Sequence, residues 1–334
     1  MRIAINGFGR IGRIAYRSLL EREDDMDLVA VNDITDAATL AHLLRYDSVH
    51  GRLQAEVRAE EGSIRVGEDT FQVLSEKDPS NLPWKDLEVD VVIESTGRFR
   101  ERDQAAQHLA AGARKVVISA PGKNADITVV LGVNEDRIES GHDVISNASC
   151  TTNCVTPVAK VIYERFGWVH GIMTTTHAYT ATQHMLDGPD KDLRRARAGA
   201  ISMIPTTTGA ARAAALVMPE LEGRIDGTAI RVPTPDASLV DLTVEVEGAT
   251  DVDAVNEAFR EASRGRLKGI LAVSDEPLVS VDYISTTESA TLDALSTMVV
   301  DGTLVKVFAW YDNEMGYATR LIDLAAFLRR FLDS

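Results

Sequence analysis

The sequence predicts an α/β chain: a doubly wound parallel sheet joined to an α+β domain with a mostly antiparallel sheet. Three observations predict it. Short Val/Ile-rich strands alternate with helical stretches as far as Val144-Ile145. A glycine-rich turn lies between the first strand and the first helix. After Cys150 the alternation gives way to longer strand-like segments, interrupted by a helix at Val252–Ser263.

The first strand is Arg2-Ile3-Ala4-Ile5-Asn6, and Gly7-Phe8-Gly9-Arg10-Ile11-Gly12 follows it as G-x-G-x-x-G. Ile11, Ile14, Ala15 and Leu19 then share one helical face. A second strand, Asp27 to Asn32, ends at Asp33, 21 residues after Gly12. Alone, the motif is equally a Gly-rich turn. Between strand and helix, with an acid after the second strand, it reads as a dinucleotide site of the Rossmann type. Gly7 allows the tight turn, Gly9 lets backbone approach a pyrophosphate, and Gly12 lets helix pack on strand. A carboxylate at Asp33 accepts from ribose hydroxyls and repels a 2′-phosphate, which favours NAD over NADP.

Residues 36–46 read as helix, and 48–78 as a β-rich excursion with strands at Gln54–Val57, Ser63–Val66 and Thr70–Leu74. Val89 to Glu94 is a strand ending in Ser95-Thr96-Gly97. A helix from Arg102 to Ala111 precedes the strand Lys115–Ile118, which ends in Ser119-Ala120-Pro121. Ligands of such sheets lie beyond the carboxyl ends of the strands.

Cys150 sits between the run Asp143-Val144-Ile145 and a helix expected from Val155 to Phe166. Free N–H groups and the helix dipole at such a place favour an anion, so the thiol loses its proton more readily and becomes a nucleophile. A lone Cys is more often a small buried hydrophobe; the Ser/Thr/Asn setting argues against that here. A disulfide or metal pair with Cys154 fits poorly, since a four-residue helical spacing suits neither disulfide geometry nor zinc without His. No metal site is expected.

Beyond the Cys helix, Gly171 to Thr176 is strand-like and delivers His177. A polar irregular stretch runs from Ala178 to Ala200, long enough to be functional or interface-forming. Pro205 to Gly209 leads into a small-residue helix, Ala210–Val217. Antiparallel strands are expected at Thr228–Val232, Ala237–Glu247, Leu278–Asp282, Ser296–Asp301 and Thr303–Trp310, and a last amphipathic helix from Met315 to Phe331. Of the seven His, His177 is the best partner for Cys150, although a satisfied loop histidine reads equally well. Arg231, with Thr180, Arg195, Thr208 and Gly209, could cradle phosphate groups; an isolated Arg is more often a surface ion pair. A Cys nucleophile beside a nicotinamide cofactor suggests aldehyde oxidation through a thioester.

The 334 residues allow two domains, with 45% hydrophobic and 26% charged residues. There is no long apolar run, and the N-terminus enters a strand at once, unlike a signal peptide. Two Cys fit a reducing, cytoplasmic compartment. Asp plus Glu number 51 against 35 Lys plus Arg, giving −16, and Lys occurs only at 77, 85, 115, 123, 160, 191, 268 and 306. Such a surface repels nucleic acid and anionic membranes, so neither is expected as a partner. Salt screens its self-repulsion, which points to a salt-rich cytoplasm, with a merely acidic cytosolic enzyme as the alternative.

The whole length resembles phosphorylating glyceraldehyde-3-phosphate dehydrogenase, of the bacterial and plastid branch. The matching motifs are Ile5 to Arg13, Ser149-Cys150-Thr151-Thr152-Asn153-Cys154, His177-Ala178-Tyr179-Thr180, Thr208-Gly209-Ala210-Ala211, Arg231-Val232-Pro233-Thr234-Pro235 and Trp310 to Tyr317. The resemblance implies Cys150 as nucleophile and His177 as its activator. Ser149, Thr151, Thr208, Gly209 and Arg231 would position the carbonyl and one phosphate. Thr180 and Arg231 would serve the other phosphate, with Arg195 nearby. Gly7, Gly9, Arg10, Ile11, Gly12, Asp33, Lys77, Thr96, Ser119 and Asn313 would hold NAD. It also implies inorganic phosphate as co-substrate, a homotetramer with the 178–200 loop at an interface, and a cofactor domain of 1–149 plus 315–334 around a catalytic domain of 150–314. Gly188 stands where NAD-preferring relatives often carry a larger residue, leaving room for some NADP use. Erythrose-4-phosphate dehydrogenase shares the Cys motif but usually lacks the Thr206–Ala211 run, and a non-catalytic protein on this scaffold would not need Cys150, His177 and Arg231 together.

Overall fold

The computed structural model describes residues 1–22 and 25–332. The chain divides into two compact units: Met1–Val129 with Asp136–Ala148 and Ala318–Ser334, and Val130–Glu135 with Ser149–Tyr317.

In the first unit the elements are β1 (Arg2–Asn6), α1 (Arg10–Leu20), β2 (Asp27–Asn32), α2 (Ala37–Arg45), a small hairpin β3 (Tyr46–Asp47) and β4 (Gly51–Arg52), then β5 (Val57–Glu60), β6 (Ser63–Val66), β7 (Asp69–Leu74) and β8 (Val91–Glu94). Two short helices follow, α3 (Arg102–Ala105) and α4 (Gln107–Ala110), then β9 (Lys115–Ile118), β10 (Ile127–Thr128) and β11 (Val144–Ser146). Nine strands form one sheet in the order β10-β11-β9-β8-β1-β2-β7-β6-β5. Its centre is parallel, and β5, β6 and β7 close one edge antiparallel. Strand order reverses between β1 and β8, the switch point at which such sheets leave a crevice. Residues of β1 and β8 are buried on both faces, as a parallel sheet requires. Phe71 meets Phe8 and Tyr16 edge to face, with ring centroids 5.7 and 4.9 Å apart, and Phe8 and Tyr16 lie tilted to each other at 6.2 Å.

The second unit opens with α5 (Cys150–Phe166), followed by β12 (His170–Ala178), β13 (Ile204–Thr207), α6 (Ala210–Val217), β14 (Ile225–Val232), β15 (Ser238–Glu245), α7 (Val252–Arg264), β16 (Leu271–Ser274), β17 (Ala290–Asp293), β18 (Met298–Val300) and β19 (Leu304–Tyr311). The last helix, α8 (Met315–Leu328), begins in the second unit and runs into the first. The sheet order is β13-β14-β12-β15-β19-β17-β16, with β18 on β19. It is mostly antiparallel, with two parallel pairs, β12 on β14 and β16 on β17. Along β15 and β19 alternate residues are buried, among them Val240, Leu242, Val305 and Val307, where α5 packs.

The α/β plus α+β class expected from sequence is the one observed, with local corrections. The first strand of the β-rich excursion is Val57–Glu60, not Gln54–Val57, because Glu60 pairs with Ser63 across a tight turn where Gly62 has φ +71°. The helix expected over 102–111 is two short helices meeting at Ala106. The expected strand at Leu278–Asp282 is instead a 3-10 turn over Ser280–Tyr283. Asp282 Oδ2 captures the N–H of Val279 at 2.8 Å, and Val279 and Val281 stay exposed. The Cys helix starts at Cys150, five residues before Val155. Strands β13, β16 and β17 were not anticipated; each is four residues long.

Candidate active site

The second unit builds its site around the start of α5. Ala148, just before it, has φ +54°, a left-handed turn that few non-glycine residues adopt. Ser149 caps the helix: its Oγ accepts from Thr152 N at 3.1 Å and lies 2.7 Å from Thr152 Oγ1. Cys150 is therefore the first helical residue, half-buried, with the N–H groups of Cys150 and Thr151 turned to its sulfur rather than to a helical carbonyl. Cys154, one turn on, is fully buried with its sulfur 3.8 Å from Ala309 O, and both cysteines are free thiols.

His177 approaches from β12, with Nε2 3.5 Å from Cys150 Sγ. Parallel pairing of β12 with β14 sets Arg231 opposite His177. Arg231 Nη1 donates to His177 Nδ1 at 2.7 Å and to Ala178 O at 3.0 Å. Nδ1 thus faces a donor, Arg231 Nη1, and an acceptor, Ala178 O at 2.7 Å, and these contacts fit either neutral tautomer. Burial first, and then the Arg231 charge, push His177 down to about 3, against the pull of the Ala178 carbonyl 2.7 Å from Nδ1. Burial pushes the Cys150 thiol up, while Arg231 and the Thr151 donors draw it back down. The sulfur thus faces a cation, a helix N-terminus and a ring nitrogen that can exchange a proton with it.

Tyr311 braces this pair. Its hydroxyl lies 2.9 Å from both Thr151 Oγ1 and Thr175 Oγ1, and its ring meets that of His177 edge-on at 6.0 Å. Ser238 Oγ accepts from Ala178 N at 3.1 Å and donates to Asn313 Oδ1 at 2.6 Å. That fixes the Asn313 carboxamide with its oxygen inward. Among the candidate phosphate ligands, Arg195 Nε donates to Thr206 Oγ1 at 3.0 Å, and its charge lowers the Arg231 pKa further after burial. Two guanidinium groups close enough to repel are a natural anion site. Thr180 N donates to Gln183 Oε1 at 3.1 Å and its hydroxyl meets Thr182. Thr208 and Gly209 are not beside Arg231: β13 pairs Ile204 with Arg231 and Thr207 with Thr228, so Thr208 follows at the far end of that pairing. Gly209 caps α6 without a side-chain bond and has open space where a Cβ would stand.

The first unit builds its site at the carboxyl ends of β1, β2 and β8. Gly7 has φ +92°, and a Cβ there would fall 2.6 Å from Thr96 N. A Cβ on Gly12 would fall 2.3 Å from Gly7 O. On Gly9 it would meet nothing within 4 Å. The loop is therefore closed on its inner side and open at Gly9, above the uncapped N-terminus of α1. Asp33 is held by Phe8 N on Oδ2 at 2.9 Å and by Thr35 N on Oδ1 at 3.0 Å. Arg10 turns its side chain to Asp47 in an ion pair. Thr96 and Ser119 are half-buried at strand ends and Lys77 is exposed after β7. An open glycine, free helical N–H groups and a fixed carboxylate fit a dinucleotide.

Residues 1–102 match the glyceraldehyde 3-phosphate dehydrogenase NAD binding domain, and residues 149–313 match the C-terminal domain of the same family. Among similar proteins, glyceraldehyde-3-phosphate dehydrogenase of Geobacillus stearothermophilus is 59% identical over 329 residues, covering 98% of each chain. Glyceraldehyde-3-phosphate dehydrogenase 1 of Bacillus cereus is 57% identical over 328 residues, and the Streptomyces coelicolor enzyme 55% identical over 330, again covering 98% of each chain. The chain belongs to the glyceraldehyde-3-phosphate dehydrogenase family. Its cofactor is NAD.

Within this family member, sequence reading missed Tyr311, Thr175 and Ser238. Tyr311 stands in a quoted motif, and strand alternation marks it as buried. That its hydroxyl bridges Thr151 and Thr175 depends on α5 lying across β15 and β19, which no local pattern encodes.

Proposed function

We infer that the chain catalyses the reversible, NAD-dependent oxidative phosphorylation of D-glyceraldehyde 3-phosphate to 1,3-bisphosphoglycerate, with Cys150 as nucleophile and His177 as acid/base. The observation that carries this reading is Cys150 Sγ at the start of α5, 3.5 Å from His177 Nε2, with Arg231 bound to the other ring nitrogen. His177 Nε2 takes the proton of the Cys150 thiol, the thiolate adds to the aldehyde carbon, and the Nε2–H returns that proton to the new oxyanion, leaving the ring neutral. NAD, held by the loops at Gly9 and Asp33 and by Asn313, would supply the hydride acceptor for that carbon when bound. His177 takes back the hydroxyl proton as the hydride leaves, and a thioester on Cys150 remains. Inorganic phosphate attacks the thioester carbonyl, and the Cys150 thiolate departs. A phosphate group that engages Arg231 draws it from Nδ1. Ala178 O is then the remaining partner of Nδ1, and the ring can hold a proton on each nitrogen.

In this reading Ser149, Thr151, Thr180, Arg195, Thr208, Gly209 and Arg231 serve the substrate and the two phosphates. Residues 1–149 and 315–334 bind the cofactor through Gly7, Gly9, Arg10, Ile11, Gly12, Asp33, Lys77, Thr96 and Ser119, and residues 150–314 hold the catalytic groups and Asn313. Gly188 leaves some NADP use open. A homotetramer is supported by Met185, Leu186, Leu193, Ile201 and Met203, all 74–82% exposed within one segment. No described helix is long and apolar enough to cross a membrane, and a cytoplasmic, salt-rich setting fits the −16 charge.

The test is NADH formation from glyceraldehyde 3-phosphate and NAD in molar KCl, with and without inorganic phosphate. Phosphate-dependent turnover is expected, falling at least ~10³-fold in Cys150→Ser, while NAD still binds. Steady turnover without phosphate would assign the acyl transfer to water instead.

A further inference from the structure

Beneath the cofactor loops runs a buried chain of hydrogen bonds that the reaction itself does not use. Trp84 Nε1–H donates to His108 Nδ1 at 2.9 Å. That nitrogen accepts, so the His108 proton sits on Nε2, which faces Glu94 Oε2 at 3.1 Å. The same oxygen accepts from Asn6 Nδ2 at 2.5 Å. The other oxygen, Oε1, accepts from Thr96 N at 2.9 Å and from the Thr96 hydroxyl. Asn6 Oδ1 accepts from Asn32 Nδ2 at 2.7 Å. Asn32 then clasps the main chain of Glu76 in both directions, each bond 2.8 Å. His108, Glu94, Asn6 and Asn32 are 0–5% exposed.

The positions that this chain reaches form a pattern. Asn6 precedes Gly7, Asn32 precedes Asp33, and Glu76 precedes Lys77; Thr96 is held directly. Four of the loops assigned to the dinucleotide, those at Gly7, Asp33, Lys77 and Thr96, therefore hang from one network, and Glu94 is its hub. A buried charge is weak evidence for stability, since an apolar core of the same volume does as well. What a fully satisfied polar network adds is fixed geometry. The hub must also be a carboxylate. Four donors converge on its two oxygens, and an amide would turn its NH2 against either Thr96 or the Asn6 and His108 donors.

We propose that Glu94 and His108 are positioning residues for NAD. They set the spacing of the loops at Gly7, Asp33, Lys77 and Thr96 before the cofactor arrives, and do not touch it. The proposal rests on the assignment of those loops to the cofactor.

The test measures NAD affinity by calorimetry on the whole protein, thermal unfolding without NAD, and steady-state kinetics. Glu94→Gln is expected to weaken NAD binding about 10- to 100-fold and to raise KM for NAD. Its kcat at saturating NAD and the alkylation rate of Cys150 should stay within about threefold. His108→Leu strands both the Trp84 donor and Glu94, and should weaken binding about tenfold. His108→Gln can still accept from Trp84 and donate to Glu94, and should recover most of it. If Glu94→Gln fails to fold, the His108 pair decides. Variants that melt lower but bind NAD as the wild type does would make the network purely structural and overturn the proposal. Asp33→Ala separates the two layers. If it too binds NAD normally, the cofactor assignment falls and the proposal with it; if it binds weakly while the network variants bind normally, the proposal falls alone.

Discussion

The two units make binding sites by opposite means. The cofactor loops of the first unit are shaped by backbone: a glycine turn closed against Thr96 and Gly7 O, an uncapped helix, and a carboxylate held by two N–H groups. The site around Cys150 is made of side chains brought from α5, β12, β14 and β19, with the Arg231 cation at its centre. Backbone sites tolerate changes of charge and fail on added volume. Side-chain sites tolerate modest changes of volume and fail on lost charge. The two should therefore respond to different substitutions, and each response should stay within its own unit.

The largest separation is expected from Arg231→Gln. It removes the cation that faces both Cys150 and His177 and that would receive a phosphate. The ratio kcat/KM for glyceraldehyde 3-phosphate should fall roughly 10²- to 10³-fold, as losing a cation that stabilises developing negative charge implies. NAD affinity should stay within about twofold. An equal fall in NAD affinity would mean that the sites are not built independently.

A smaller and opposite effect is expected from Gly9→Ala. The added methyl meets no atom in the ligand-free protein, so thermal unfolding without NAD should move by no more than about 1 °C, as for a surface substitution without a named defect. NAD affinity should fall about tenfold, because the methyl takes the place of the approaching pyrophosphate. Gly12→Ala is the contrast: its methyl would fall 2.3 Å from Gly7 O, so it should lower stability and NAD affinity together. If Gly9→Ala and Gly12→Ala behave alike, the open and closed sides of the loop have been misassigned.

The same division explains what could be read from the sequence. The first unit was legible because its signals are local: glycines at fixed offsets, a strand on one side and a helix on the other, an acid 21 residues on. Cys150 and His177 were legible as residue types at element ends. Their relation to Arg231 was not, since it depends on β12 and β14 being parallel neighbours with His177 opposite Arg231, and register between strands 54 residues apart leaves no local trace. For the same reason the sequence names Thr208 beside Arg231 as a phosphate ligand, whereas the pairing of β13 runs Thr208 away from it. The strand expected at Leu278–Asp282 failed on a local competitor, the Asp282 carboxylate bound to Val279 N. The Glu94 network escaped notice because each of its members, taken singly, looks like an ordinary polar residue at the end of a strand or in a helix.

The smallest predicted effect sharpens the charge side of the comparison. His177 is buried neutral, with its pKa pushed down to about 3 from an ordinary value of 6.5. In the unfolded chain the same ring regains the ordinary value, so below it the unfolded state binds the extra proton. The stability contributed by keeping His177 neutral is thus complete above pH ~6.5 and is lost progressively as pH falls toward 3. Replacing His177 with Asn removes this term, while Asp and Glu groups still titrate in both proteins. Urea unfolding of the NAD-free protein at pH 7 and pH 5 should therefore show a larger loss of stability in the wild type than in His177→Asn. The expected difference is about 2 kcal/mol, the linkage for 1.5 pH units, less whatever solvent relaxation returns. Equal losses would mean that the ring holds its proton in the folded state, with Nδ1–H on Ala178 O and Arg231 turned elsewhere. The cation would then act on substrate alone and not on its neighbour.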